Sequence, residues 1–312
     1  MRVLITGASG FVGRHVVDAL TREGHDLALV TRHALASAAV RTPRVAFIAG
    51  DLDDVASMRD GVVQFAPEAC VHLAWAGIPN YSAQISGENL RRSISLIDLL
   101  LDETPCRRLV VTGTCLEYGR LNGVCTETDD VRLTSFIAWA KQSLREYLEV
   151  KARRVPLELM WLRLFYVYGP GQRADSLLPT LITNILHGQD PTILNPFNAQ
   201  DFVYVADVAD AVRQALAPDA EPGVYNIGSG RATSVLDMCQ LVEACVGASP
   251  RVSQMLRTGP VPEHPACFWA STAKAALGLR WTAARPLADG VRRQVKSIQD
   301  AAAAGNIAGA HG

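Results

Sequence analysis

The segment Val3-Leu4-Ile5-Thr6-Gly7-Ala8-Ser9-Gly10-Phe11-Val12-Gly13 decides the fold of this 312-residue chain. It begins with a short apolar run that stops at a glycine, the pattern of a buried parallel strand. After Gly10, apolar residues recur at helical spacing until Gly24, which predicts a helix behind the loop. The three spaced glycines allow a tight turn, close approach of the backbone to a pyrophosphate, and close packing of helix on strand. The segment therefore predicts a strand, a phosphate-binding loop and a helix.

Strand and helix patterns alternate from this segment to residue 170. Further strand patterns occur at 27–30, 45–48, 71–73, 109–111 and 157–164, and the helical patterns between them are clearest at 85–103 and 134–152. Strands that alternate with helices predict a parallel sheet covered on both faces. The expected fold class is α/β, a Rossmann-type doubly wound parallel sheet with a smaller C-terminal substrate lobe.

The alternation loosens after residue 170, where shorter elements are separated by proline and glycine. We expect residues 1–170 to form an NAD(P)-binding Rossmann domain, to which residues 201–230 return. We expect residues 171–200 and 231–312 to form the substrate-binding lobe.

Composition excludes several classes of function. The chain has 30 basic and 31 acidic residues, so no field of one sign attracts nucleic acid or an anionic membrane. No apolar run approaches the ~20 residues of a membrane span. The seven cysteines include no C-x-x-C pair and the seven histidines show no ligand spacing. These features predict a cytoplasmic protein with reduced thiols and no metal site.

The end of the second strand bears on the choice of dinucleotide. The strand ends Val30-Thr31-Arg32, without the acidic residue that would accept from the adenosine ribose and favour NAD. Arg32 is suited to a 2′-phosphate, so we expect NADP, with NAD and a solvated Arg32 as the alternative. Asp51 and Leu52 follow the third strand and are placed to meet the adenine.

Several motifs, in this order, resemble the extended short-chain dehydrogenase/reductases, the NAD-dependent epimerase/dehydratase family. They are Gly7 to Gly13, Gly50-Asp51-Leu52, His72-Leu73-Ala74, Val111-Thr-Gly-Thr114 with Tyr118-Gly119, Lys141, Arg163-Leu-Phe-Tyr-Val-Tyr-Gly-Pro-Gly171, Asp201-Phe-Val-Tyr-Val-Ala-Asp207-Val208 and Tyr225-Asn-Ile-Gly-Ser-Gly230. The stretches Gly77–Tyr81 and Gly113–Gly119 further resemble reductases of nucleotide-linked 4-keto-6-deoxyhexoses, of the dTDP-6-deoxytalose-forming type.

The resemblance implies hydride transfer between a nicotinamide and a carbon, usually C4, of a nucleotide-activated sugar. It places Thr114 where a Ser or Thr orients the sugar oxygen, and Lys141 where a lysine holds the nicotinamide ribose. Besides the glycines, it implies cofactor contacts from Ser9, Phe11, Val12, Leu73, Ala74, Trp75, Thr112 and Phe165.

One position departs from the family pattern. Ile137 stands four residues before Lys141, where the family carries the tyrosine that gives or takes the proton. Three alternatives follow: another group supplies the proton, the protein binds without efficient turnover, or the reaction differs. The candidate proton donors are Tyr166, Tyr81, Cys115, Glu117 and a water ordered by Thr114 and Lys141. Cys115 and Leu116 stand where the 4,6-dehydratases carry an Asp-Glu pair, which argues against that reaction.

Weaker hints concern the substrate and the assembly. Asn195 and Arg231 are expected near the nucleotide diphosphate, because arginine suits phosphate, and the loop to Tyr81 is expected to border the sugar. Reduction of a 4-keto nucleotide sugar is the leading hypothesis. An epimerase and a non-catalytic sensor of cofactor or sugar nucleotide are the alternatives. The helices predicted at 85–103 and 134–152 are expected to form the interface of a homodimer.

Overall fold

The computed structural model of the protein describes residues 1–32, 43–119 and 122–309. In chain order its strands are β1 (Arg2–Thr6), β2 (Asp26–Thr31), β3 (Val45–Ala49), β4 (Ala69–His72), β5 (Arg108–Thr114), β6 (Asn122–Cys125), β7 (Glu158–Leu164), β8 (Tyr166–Tyr168), β9 (Ala199–Tyr204), β10 (Gly223–Ile227), β11 (Ala232–Ser234) and β12 (Cys267–Ala270). Its helices are α1 (Phe11–Arg22), α2 (Arg59–Phe65), α3 (Ala83–Glu103), α4 (Phe136–Ala152), α5 (Leu177–Leu186), α6 (Val205–Ala215), α7 (Val235–Val246), α8 (Arg251–Arg257), α9 (Ala273–Gly278) and α10 (Leu287–Gly309). Short 3-10 turns occupy Val55–Met58 and Cys115–Tyr118.

The main sheet is parallel and has the strand order β3-β2-β1-β4-β5-β7-β10. The order reverses at β1, which lies between β2 and β4. Such a switch point opens a crevice at the carboxyl ends of the two strands, where doubly wound sheets bind ligands. The predicted α/β fold class is therefore confirmed.

Both faces of this sheet are covered because side chains alternate along each strand. Val3 and Ile5 join one core with residues of α1 and α6, whereas Leu4 joins a second core with residues of α2, α3 and α4. Strands buried on both faces read as continuous apolar runs, which is why these strands were recognisable in the sequence.

A smaller sheet has the order β11-β9-β12-β6, and β8 pairs with β9 beside it. A third core fills the space between the strands β8 and β9 and the helices α5, α7, α8 and α10. The chain passes between the sheets more than once, since β6 belongs to the smaller sheet while β10 returns to the main one. The division into two domains at the boundaries given above stays a prediction.

No helix in the described part of the chain combines the length and the apolar character needed to cross a membrane. The cysteines are all free thiols.

Candidate functional site

The glycine loop forms a cradle at the switch point. Gly10 precedes α1 without a side-chain cap, so the first N–H groups of the helix have no side-chain acceptor there. Gly7 has a φ of +72°, and a Cβ on it would lie 2.8 Å from the Ala74 nitrogen. A Cβ on Gly13 would overlap the carbonyl oxygen of Gly7 and lie 2.8 Å from the Ala8 Cα. Only glycine fits at these positions, and the resulting cradle suits a pyrophosphate at a helix N-terminus.

The segment after β4 borders this cradle. The Leu73 nitrogen donates to the Thr6 carbonyl oxygen (3.2 Å), and the Ala74 nitrogen donates to the Thr6 hydroxyl oxygen (3.3 Å). These bonds hold the segment against the end of β1, beside the loop that carries Ser9, Phe11 and Val12. The structure therefore brings these predicted cofactor contacts together.

The predicted adenosine contacts lie along the same edge of the sheet. Arg32 is exposed directly after β2, and Asp51 and Leu52 are half-buried just after β3. The Asp51 carboxylate accepts from the Asp53 nitrogen (3.0 Å), which shapes the turn. Because β2 and β3 are parallel neighbours, their ends place these side chains beside one another.

Lys141 lies on α4 and is only 7% exposed. Its Nζ donates to the Thr112 carbonyl oxygen (2.5 Å) and lies 4.2 Å from the centre of the Trp75 ring. Burial lowers the pKa of Lys141 to about 8, while the charge of Glu117 acts in the opposite direction. The lysine thus bridges the ends of β4 and β5.

Beside Lys141 lies His72, a buried residue at the end of β4 that was not assigned a role from the sequence. Its Nδ1 lies 2.8 Å from the Thr6 hydroxyl and its Nε2 lies 2.9 Å from the Ser93 hydroxyl. Burial, together with the charge of Lys141, lowers the pKa of His72 to about 3. The imidazole is neutral at pH 7 and adds no charge to the site.

Thr114 ends β5 and begins the 3-10 turn. Its Oγ1 accepts from the Leu116 nitrogen (3.3 Å), and its own nitrogen donates to the Glu117 carboxylate (2.8 Å), which makes a capping box. Among the described residues no acceptor takes the hydroxyl hydrogen of Thr114, so this hydrogen can be donated to a ligand.

Glu117, one of the candidate proton donors, is fully buried. Besides the Thr114 nitrogen, its carboxylate accepts from Arg163 Nε (2.7 Å) and from Trp161 Nε1 (3.2 Å). The Arg163 guanidinium stacks 4.5 Å from the centre of the Tyr118 ring, and Tyr118 donates to Asn226 (2.6 Å). Glu117 therefore fixes the 3-10 turn that carries Thr114 rather than facing a ligand.

Three other candidate donors lie near one another. Tyr166 on β8 packs against Phe202 and Phe268 with ring centres 6.0 Å apart in both pairs. Burial raises the pKa of Tyr166 well above its usual range, and the nearby Cys115 and Tyr81 raise it further. The pKa of Cys115 is also raised by burial, whereas Tyr81 is 38% exposed.

Ile137 is 5% exposed on the first turn of α4, one turn before Lys141. Phe165, a predicted cofactor contact, is buried, and its nitrogen donates to the Ile227 carbonyl oxygen (3.0 Å). Its ring packs beside Phe268.

The two predicted diphosphate residues are not joined by a described contact. Arg231 and Asn195 are both exposed. Arg231 follows a loop organised by Asp201, a buried carboxylate that accepts from the backbone nitrogens of Ser229 (2.6 Å) and Gly230 (2.9 Å). The role of Asp201 in organising this loop was not predicted from the sequence. A carboxylate at the start of an apolar run was a signal, because a buried carboxylate needs hydrogen-bond donors.

A glycine cradle at the switch point, with a threonine and a buried lysine on neighbouring strand and helix, defines a dinucleotide-binding protein of the extended short-chain dehydrogenase/reductase type. The chain belongs to the NAD dependent epimerase/dehydratase family, whose model matches residues 3–228.

Known relatives and solved structures are consistent with membership of this family. The chain is 24% identical over 310 residues to the "uncharacterized UDP-glucose epimerase YtcB" of Bacillus subtilis, covering 95% of this chain and 97% of the relative. The crystal structure of a Thermotoga maritima UDP-glucose 4-epimerase with UDP-glucose shares the fold, with a TM-score of 0.83, 24% identity and coverage of 96% and 99%. The structure of MoeE5 in complex with UDP-glucose and NAD matches at 27% identity, with a TM-score of 0.79 and the same coverage.

Proposed function

We propose that this protein is an NAD(P)-dependent oxidoreductase that reduces a 4-keto-6-deoxyhexose linked to a nucleotide. The observation that carries the proposal is the placement of Thr114 at the end of β5 and of Lys141 on α4, with the lysine Nζ bonded to the Thr112 carbonyl oxygen of the same strand. The free hydroxyl hydrogen of Thr114 is suited to orient a sugar carbonyl. Elimination of water from a sugar requires an acid and a base, and the side chains of Cys115 and Leu116 provide no carboxyl group for either role.

The residues present fit a nicotinamide dinucleotide. The glycine cradle would hold the pyrophosphate, Asp51 and Leu52 the adenine, and Lys141 the nicotinamide ribose. Arg32 would hold a 2′-phosphate, which favours NADP, although MoeE5 was solved with NAD. When bound, the dinucleotide supplies the hydride.

The sugar nucleotide would lie over the carboxyl ends of β4, β5 and β7. Tyr81, Cys115 and Tyr166 would border the sugar, since Tyr166 is close enough to the other two for its pKa to respond to them. Asn195 and Arg231 would reach the diphosphate, and both are exposed and open to a ligand.

The test follows oxidation of NADPH and of NADH by the purified protein with a dTDP-4-keto-6-deoxyhexose. We expect NADPH consumption, with a KM for NADPH that rises about 10- to 100-fold in Arg32→Gln because a charge-assisted contact is lost. The KM for NADH should not change. Arg153→Gln, at an exposed site after α4, is the matched control.

Two results would contradict the proposal. Turnover without added reductant, by protein that retains its cofactor through purification, would favour an epimerase. Cofactor and sugar-nucleotide binding with no reaction on any keto-sugar nucleotide would favour the non-catalytic sensor.

We also propose a homodimer formed by α3 and α4. The two helices pack against each other within the subunit, yet Phe136, Trp139 and Val150 on α4 are 52%, 40% and 49% exposed. Such exposed aromatic and aliphatic side chains are typical of an interface core. Light scattering should give twice the monomer mass, and Trp139→Glu should halve it. A wild-type monomer would refute the assembly.

The absence of nucleic-acid and membrane partners and the cytoplasmic location stay predictions.

A further inference from the structure

We propose that Lys141 is itself the general acid of this protein and supplies the proton that the tyrosine supplies elsewhere in the family. The inference rests on the proposed function, because it concerns proton transfer to the carbonyl oxygen of the sugar.

Ile137 and three of the candidate donors, Glu117, Cys115 and Tyr166, are poorly suited to give a proton, which leaves Lys141 together with the 38% exposed Tyr81 and an ordered water. Ile137 has no proton to give. The Glu117 carboxylate is occupied by the Thr114 nitrogen, Trp161 and Arg163. Cys115 and Tyr166 are buried, and burial raises the pKa of each, which makes both poor acids at neutral pH.

The position of Lys141 suits proton transfer to a sugar oxygen held by Thr114. Its Nζ donates to the backbone carbonyl oxygen of Thr112, two residues before Thr114 on β5, and α4 packs against the 3-10 turn that Thr114 begins. A substrate oxygen that accepts from Thr114 would therefore lie at the same strand end as Nζ, where the proton would pass directly or through one water. No described carboxylate lies within ion-pair distance of Nζ to hold its proton.

The electrostatic environment of Lys141 makes its ammonium group easier to deprotonate. The titratable and charged groups that face Lys141 are His72 on β4, Glu117 in the 3-10 turn and, behind Glu117, Arg163 on β7. His72 is neutral, and the charge of Glu117 is paired with Arg163. Desolvation therefore dominates and brings the pKa of Lys141 to about 8, the range in which a lysine works as an acid or base near neutrality.

The proton balance of the step is complete. The carbonyl carbon would gain the hydride that a bound reduced dinucleotide supplies, and the π electron pair of the carbonyl would move to its oxygen. An N–H bond of Lys141 Nζ breaks as the new O–H bond forms, which leaves a neutral amine. The amine then takes a proton from solvent water and returns to the ammonium form.

The chain offers an unusually direct test because it contains only four lysines: Lys141, Lys151, Lys274 and Lys296. With [ε-13C]lysine incorporated, each side chain gives its own NMR signal, and Lys141→Arg identifies the signal of Lys141. We expect that signal to titrate more than two pH units below that of Lys151, whose pKa is raised by its ion pair with Asp98. A half-point for Lys141 above pH 10 would overturn the inference, whatever the enzyme turns over.

Kinetics provide the second test. Lys141→Arg keeps the positive charge but cannot release a proton near neutral pH. We expect kcat to fall about 10²- to 10⁴-fold, with a much smaller change in cofactor affinity measured by fluorescence. Lys151→Arg, on the same helix, is the matched control and should leave kcat unchanged.

A double variant separates proton transfer from cofactor positioning. Adding Ile137→Tyr to Lys141→Arg introduces a new acid one turn away on the same face, so kcat should recover at least tenfold. A loss of kcat matched by an equal loss of cofactor affinity, without recovery in the double variant, would refute the role as acid. If the wild type turns over no keto sugar, the proposed function fails, and the NMR titration still decides the state of Lys141.

Discussion

Gly13→Ala should weaken binding of NAD(P)H roughly 100-fold, the effect of about 2–3 kcal/mol of overpacking in a fixed loop. The added methyl group would overlap the Gly7 carbonyl oxygen and press on Ala8, so the first turn of α1 must move away from β1. That movement displaces the N–H groups of the cradle. Quenching of protein fluorescence by NADPH measures the loss.

The matched control for this variant is Gly87→Ala on α3. A Cβ at Gly87 meets nothing within 4 Å, and the residue lies in the interior of a helix. Alanine should stabilise the fold by about 0.5–1 kcal/mol in denaturant unfolding and leave cofactor affinity unchanged. Wild-type affinity in Gly13→Ala would mean that the phosphates bind elsewhere.

The main sheet was predictable because its strands are buried on both faces and its helices are long and amphipathic. The helix predicted at 85–103 begins two residues earlier, at Ala83, and ends at the predicted residue as α3, and the strand predicted at 157–164 begins one residue later as β7. The smaller sheet was only partly predicted. β6, β8, β11 and β12 have three or four residues each, too few for a period to emerge.

The smaller sheet was also hard to predict because some of its strands pair with strands that are remote in sequence. β12 pairs with β6, more than 140 residues earlier in the chain. No local pattern reports such a contact, because it depends on how the intervening elements pack.

In the candidate site, too, the residues that belong to local motifs were predictable, whereas the contacts that depend on tertiary packing were not. The glycine cradle, Thr114 and Lys141 each belong to a motif, so the sequence placed them at strand and helix ends. The partner of Glu117 did not follow from any motif. Arg163 within the apolar strand Leu159–Leu164 was a sign that a buried partner must exist, since an unpaired charge in such a strand is too costly. Which carboxylate it meets depends on the pairing of β5 with β7.

Arg163→Met should lower the free energy of unfolding by about 3–5 kcal/mol, the usual cost of leaving one member of a buried ion pair without its partner. Glu117 is fully buried and Arg163 Nε donates to it at 2.7 Å, so removal of the guanidinium leaves a carboxylate with only neutral donors. Urea unfolding followed by circular dichroism measures the change. Arg292→Met, which breaks an exposed pair with Asp289, is the control and should cost no more than about 0.5 kcal/mol.

The double variant Glu117→Gln with Arg163→Met separates the charge from the packing. Glutamine still accepts from the Thr114 nitrogen and Trp161 Nε1 but brings no buried charge, so most of the lost stability should return. The same substitution removes the negative charge that raises the pKa of Lys141, so the Lys141 NMR signal in the double variant should titrate at a lower pH than in the wild type. Recovery of stability without a lower pKa of Lys141 would show that Glu117 anchors the Thr114 turn but does not act on Lys141. A double variant as unstable as Arg163→Met would mean that stacking of Arg163 on Tyr118, and not the ion pair, holds β5 against β7.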